Sequence, residues 1–399
     1  MPTLSVLLAP PDSQRRTDWV RPVRQQARTG ERDTDSQGDT LANIQRYFIK
    51  FHDAIKLGRF KEEQTLREKR DIIRGKLRDL LPDVFAAHSE DTALPVFRDQ
   101  GSYDLRTGIK PLDSDYDIDQ GLYFQAGSDT YPDPVVLKQR IREALDGHTD
   151  EVRVREPCVT VFYHSDGEPI YHVDLAIYSD GALYADGKPR LARGRAHSIE
   201  ENRRWEISDP QGLVAAIDGR FADSDREQFQ RVVRYLKRWK DIAFPCDGHA
   251  APRGIALTAA AYHWLTPQYN EDEFDRTPDD LAALRHLVRC MLDNFMEHWH
   301  EREAELGRRL SVRLPAEPYS DPFEKMSNKQ MEDFERRLQR LYDALVAAED
   351  AVDPIAACEG LQKVFGSDFP VPARAETAKR HVPAIVSSSN SAQGARAHR

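Results

Sequence analysis

The sequence predicts an α+β protein, in which a small mixed or antiparallel sheet backed by helices is followed by a second, mostly helical lobe. Three observations predict it. Apolar residues recur at helical spacing before Gly101, β-rich runs fill the chain from about residue 115 to 178, and helical spacing returns beyond Trp205 and continues to about Phe369. A chain of 399 residues exceeds the usual size of one domain, which also favours two lobes.

Residues 1–38 are rich in Arg, Gln, Asp, Thr and Pro and lack sustained periodicity, so they are expected to be disordered. Leu41, Ile44, Phe48, Phe51 and Ile55 then mark a helix, with Asp39 or Thr40 as its cap, and Leu66, Ile73, Leu77 and Leu80 mark a second. LPVFRDQGSYDLRTGIKP reads as a short extended run, a turn at Gly101 and Ser102, a helical turn and a loop. Strands follow at DYDIDQGLYF, VRVR, CVTVFYH and PIYHVDLAIY, the last two joined by a hairpin at Ser165 to Glu168. These elements place a core at 39–207. Phe229, Val232, Val233, Leu236 and Trp239, then Leu281 to Phe295, then Met331 to Val346, place a helical lobe at 208–369. The Ala-, Ser- and Pro-rich tail, 370–399, is expected to be disordered.

A formal net charge of −10, from 67 acidic and 57 basic residues, argues against coating nucleic acid by bulk electrostatics. Cys158, Cys246, Cys290 and Cys358 form no CxxC pair and read as reduced thiols rather than a disulfide or zinc framework. No apolar run reaches the roughly 20 residues of a membrane span, and MPTLSVLLAPP lacks the basic region of a secretory signal, so a cytoplasmic protein is expected.

The chemistry concentrates in SDYDIDQGLYF. Asp115, Asp117 and Asp119 alternate along a strand, which puts their carboxylates on one face. Like charges so placed repel, and a positive partner is required. Asp174 is a further acid, inside the apolar strand YHVDLAIY, where a carboxylate is costly unless paired or bound to a cation. If the two strands are neighbours, Asp117, Asp119 and Asp174 converge on a site suited to two Mg²⁺, with Mn²⁺ as the alternative ion. Gly101 lets the backbone approach a phosphate, and Ser102 adds a hydroxyl and an amide.

A Gly-Ser turn, a DxD strand and a distal Asp together resemble the polymerase-β-like nucleotidyltransferases. QGSYDLRTGIKP, DYDIDQGLYF, YHVDLAIY and WEISDP resemble in particular the bacterial cGAS/DncV-like nucleotidyltransferases, over roughly Gln100 to Pro210. The resemblance implies an enzyme that joins nucleoside triphosphates, ATP with GTP as a second substrate, into a cyclic di- or trinucleotide that activates an effector during phage infection. It also implies catalytic and metal-binding roles for Asp117, Asp119 and Asp174, and nucleotide contacts from Gln100, Gly101, Ser102 and one of Lys237 and Lys240. Accessory proteins of a defence operon are the implied partners. The cysteine-rich zinc insertion of the animal DNA sensor has no counterpart, so double-stranded DNA sensing is not expected. Relatives whose C-terminus is conjugated end in a small residue, whereas this sequence ends in AHR. Transfer to RNA, protein or a small acceptor is the alternative activity, and a silent nucleotide-binding regulator is a third reading.

Blander readings exist for several residues. Asp115 lies off the DxD pair and reads as a loop or supporting residue. Asp174 could pair with Arg153 or Arg155, and Lys237 and Lys240 could sit on a solvated helix face. The HWH run, His298 to His300, reads as helical, with adjacent imidazoles pointing apart. Arg190, Arg193, Arg195, Arg203 and Arg204 form a basic stretch that reads as a solvated loop, or as the lining of a nucleotide groove. Tyr103, Tyr123 and Tyr178 could stack on a base, although packing explains the last two at least as well.

Overall fold

The computed structural model describes residues 42–57, 62–112, 116–165, 168–244, 251–271 and 276–374, all within one compact unit, Thr40–Arg399. Asp115, the expected cap at Asp39 or Thr40, residues 1–38 and most of the expected tail lie outside the described residues.

Helix α1 spans Gln45–Ile55 and buries Phe48, Phe51 and Ile55, as the apolar spacing predicts. Helix α2, Glu62–Ala87, buries Leu66, Ile73, Leu77 and Leu81. Leu80, expected in that stripe, is 40% exposed; from Leu77 the buried face continues at the i+4 position instead.

The sheet begins with β1, Val96–Asp99, and β2, Tyr116–Phe124, separated by the single-turn α3, Gly101–Asp104. After α4, Pro134–Ala144, come β3, Glu151–Val154, β4, Val159–Ser165, β5, Glu168–Ser179, β6, Arg190–Arg193, and β7, Arg204–Ile207. The strand order is β1-β2-β5-β4-β3, with β6 on β5 and β7 on β6. Among the described residues only β2 and β5 run parallel, so the seven-stranded sheet is mixed. Ile118, Leu122 and Phe124 of β2 and Val173, Leu175 and Ile177 of β5 face α2 and α4, packing on Leu77, Leu81, Leu137 and Ile141. Strand alternation therefore turns Asp117, Asp119, His172 and Asp174 to the opposite face.

The remaining helices are α5, Pro210–Arg220, α6, Asp223–Ala243, α7, Gly254–Trp264, α8, Asp280–Asp293, α9, Asn328–Glu349, and α10, Pro354–Phe365. Their core holds Phe229, Leu236, Trp239, Leu284, Phe334, Leu341 and Phe365. It also holds Tyr47, Phe48 and Phe51 of α1, so α1 packs with the helical elements although the sequence reading grouped it with the sheet. Asp280 is fully buried yet satisfied: Arg231 donates twice, at 2.7 and 2.9 Å, and Tyr235 and Gln228 donate at 2.9 and 3.2 Å. This network ties α6 to α8.

Among the described residues two hairpins interrupt the helices, β8, Tyr269–Glu271, with β9, Arg276–Pro278, and β10, Phe295–His300, with β11, Glu305–Leu310. The HWH run thus lies on a strand, not a helix, and Phe295 opens that strand instead of extending α8. His300 is buried, with Nε2 3.2 Å from the carbonyl of Glu324 and Nδ1 3.1 Å from Glu303. No helix among the described residues is long and apolar enough to cross a membrane.

Candidate active site

The parallel register of β2 on β5 sets Asp117 beside His172 and Asp119 beside Asp174. Pairing neighbours in a sheet share a face, so the three acids predicted from sequence meet on the open side of the sheet. His172 joins them. Its Nε2 lies 3.3 Å from Asp117 Oδ1, and one ligand atom from each of Asp117, His172 and Asp174 falls within 4.8 Å of the others.

Each acid is held differently. Asp117 is exposed, and its known contact is with His172. Asp119 lies against Gly101. That glycine has φ +66°, and a Cβ built on it would stand 1.9 Å from Asp119 Oδ2. A glycine is therefore needed both for the left-handed backbone and for the room. Asp174 accepts a hydrogen bond from the Thr160 hydroxyl at 2.5 Å, on the register partner in β4, and that hydroxyl also lies 3.5 Å from the Cys158 thiol.

Burial, followed by the neighbouring carboxylates of Asp117 and Asp174, raises the Asp119 carboxyl well above its ordinary range, against the opposing influence of His172 and Lys237. Burial also raises Asp174, with Asp117 adding to it and Thr160 acting against it. Arg153 pairs with Glu151, and Arg155 covers the Phe162 ring at 5.0 Å, so neither neutralises Asp174. Among the described residues, no Lys or Arg forms an ion pair with Asp119 or Asp174. An all-oxygen donor set under mutual repulsion, with a nitrogen donor beside it, fits divalent cations.

The turn next to the acids is clamped from α6. Gln230 donates to the Leu105 carbonyl at 3.4 Å, Arg234 to those of Gly108, at 3.2 Å, and Arg106, and Arg238 to that of Lys110 at 2.8 Å. Lys237 Nζ donates to the carbonyl and hydroxyl of Thr107 at 3.0 and 3.2 Å, and Thr107 in turn donates its N–H to Ser102 O at 2.8 Å. Burial lowers Lys237 to about 8. Thus Lys237 is buried and bound to the loop rather than set on a solvated face, whereas Lys240 pairs with Asp241 at 2.7 Å.

Gln100, expected to contact nucleotide, is 7% exposed, and its side chain is turned into the sheet beside Gly121 and Tyr178. Tyr123 and Tyr178 stack on each other at 4.6 Å and are buried, as packing predicts. Tyr103 accepts from Arg67 at 2.5 Å. In the basic stretch, Arg190 pairs with Asp186, Arg193 with Glu156, Arg203 with Asp133 and Arg204 with Glu206.

Sequence reasoning missed His172, Thr160 and the α6 donors Gln230, Arg234 and Arg238, and it singled out Lys237 for a nucleotide contact, not for its bonds to Thr107. His172 was legible, since it stands two residues before Asp174 and so shares its face. Thr160 depends on the β4–β5 register, and the α6 donors on packing between elements more than 100 residues apart.

Comparison with known proteins agrees with this geometry. Residues 95–178 match the family model of the nucleotidyltransferase domain of cyclic GMP-AMP synthases of the DncV type. A cyclic GMP-AMP synthase from Escherichia albertii is 28% identical over 184 residues, 44% of this chain and 38% of that protein's length. The fold resembles Vibrio cholerae DncV cyclic AMP-GMP synthase, with a TM-score of 0.61 and 18% identity over 82% of this chain and 97% of that one. It also resembles the Bradyrhizobium diazoefficiens CD-NTase CdnG in complex with GTP, with a TM-score of 0.57 and 16% identity over 80% and 94% of the two chains. The matched segment, residues 95–178, holds the Gly-Ser turn, the acidic strand and Asp174, and it is similar to the nucleotidyltransferase domain of the cGAS/DncV-like enzymes, while the chain spans 38% of the length of the curated relative it matches.

Proposed function

We propose that the protein is a Mg²⁺-dependent synthase that joins nucleoside triphosphates, ATP with GTP, into a cyclic di- or trinucleotide used as a signal in bacterial antiviral defence. The observation that carries the reading is the meeting of Asp117, Asp119 and Asp174 on the parallel β2–β5 pair, directly against the Gly101 turn. The family match over this segment and the GTP-bound CdnG relative support it. On this reading the catalytic core is 39–207, without the packing of α1, the helical lobe is 208–369, and the enzyme works in the cytoplasm.

Asp117 and Asp119 would hold the ion that grips the triphosphate, and Asp174 would share the second. Such ions, when bound, supply positive charge to the phosphates and acidify a ribose hydroxyl. The protein's own contribution is placement. Thr160 fixes Asp174, Gly101 makes room for Asp119, and Ser102 would face the β and γ phosphates from a loop that Lys237, Arg234 and Gln230 keep in position. The hydroxyl oxygen attacks the α-phosphorus and pyrophosphate leaves. A second attack within the linear product closes the ring.

Purified protein given labelled ATP and GTP with Mg²⁺ should form a phosphatase-resistant small product. Asp117→Asn should slow its formation by roughly 10²-fold or more. Label on RNA or protein, or a product wholly sensitive to phosphatase, would replace this reading with the alternative acceptor.

A further inference from the structure

Building on the metal-dependent reading above, we propose that His172 is a direct nitrogen ligand of the cation cluster, making it a mixed imidazole–carboxylate site that binds Mn²⁺ more tightly than its carboxylates alone. Three observations carry this. His172 sits on the same face of β5 as Asp174 and beside Asp117 in register. Its Nε2 stands 3.3 Å from Asp117 Oδ1, and adjacent ligands on an octahedral cation, with bonds of about 2.1 Å, lie about 3 Å apart.

The third observation is the spread of the donor atoms. Those of Asp117, His172 and Asp174 lie within 4.8 Å of one another, and opposite ligands on such a cation lie about 4.2 Å apart, so small side-chain adjustments close the set around one ion. Packing limits where the imidazole can go. The Phe162 ring lies 5.9 Å from it at 35°, and the side chain is 14% exposed, so it has little freedom to swing out of the cluster.

Charge gives the arrangement a purpose. A fourth carboxylate would deepen the repulsion that Asp117 and Asp174 already impose on Asp119, whereas an imidazole adds a donor without adding negative charge. Imidazole also widens the metal preference. Carboxylate-only sites suit Mg²⁺ and Ca²⁺, while nitrogen donors favour first-row transition ions.

The test uses the full chain, free of any affinity tag and of nucleotide, loaded with Mn²⁺ and measured by pulsed electron paramagnetic resonance. The expected result is ¹⁴N modulation of the Mn²⁺ signal, replaced by ¹⁵N modulation when histidine is isotopically labelled. His172→Gln should lose it and bind Mn²⁺ about tenfold or more weakly, with an unchanged circular dichroism spectrum. Mn²⁺ bound by the native chain without nitrogen modulation overturns the proposal and leaves His172 as a hydrogen-bond partner of Asp117, the metal reading intact. Failure of the native chain to bind Mn²⁺ at millimolar concentration overturns both.

Discussion

Gly101→Ala isolates the most demanding contact in the site. An added Cβ would lie 1.9 Å from Asp119 Oδ2 and 2.7 Å from its Cγ, whereas real Cβ atoms stay beyond 3.0 Å, so the carboxylate must retreat by about 1 Å. A displacement of that size at a reacting centre costs on the order of 10²-fold in rate. The φ of +66° adds about 1 kcal/mol of backbone strain for any residue with a Cβ, enough to lower Tm by a few degrees. The assay is product formation from labelled nucleotides with saturating Mg²⁺, beside thermal unfolding. Gly108→Ala is the matched control. Its Cβ would meet nothing closer than 3.7 Å, and it lies on the same loop, so its rate should stay within about twofold of the native one. A folded Gly101→Ala protein of native rate would refute the claim that Asp119 acts from its position against the turn.

Asp119→Asn should raise Tm in the absence of divalent cations, because it removes a carboxyl whose charged form is opposed by its surroundings and by Asp117 and Asp174, and any rise in Tm on adding Mg²⁺ to the native chain should be lost in the variant. Thr160→Val removes the donor to Asp174 and should lower kcat roughly tenfold or more with little change in KM, while Thr160→Ser, which keeps the hydroxyl, should restore it. Asp280→Ala strands Arg231 in the helical core and should cost about 3–5 kcal/mol in urea unfolding. Lys138, fully buried, donates to the carbonyls of Arg155, Glu156 and Gly194, and burial lowers it to about 8 from 10.5. Between those values the unfolded chain holds a proton that the folded chain has shed, so this lysine's contribution to stability should rise with pH across that window and stay flat below it. Urea midpoints of native and Lys138→Met protein, compared at pH 7 and pH 10, measure it; a difference that shrinks with pH contradicts the assignment.

What could be read from the sequence and what could not divide along one physical line. Alternation is a property of a single strand, so the shared face of Asp117 and Asp119 was legible, and so was the apolar face of Ile118, Leu122 and Phe124 behind it. The helical stripes were legible for the same reason, down to an error of one residue at Leu80 where a step of three was read for a step of four. The HWH run was misread because six residues with apolar members at both parities carry no decisive period, and pairing with β11 settled the outcome. Contacts between distant elements carry no local signal at all. That Asp174 meets Asp119 depends on β5 lying parallel to β2 at one register; a slip of one residue would have put Val173 in its place and turned the carboxylate into the apolar core. The apolar side chains of Val173, Leu175 and Ile177 prevent that slip, since it would expose all three. The core on one face therefore fixes the acids on the other, and the repulsion gathered there is tolerated because the packing behind the sheet opposes it.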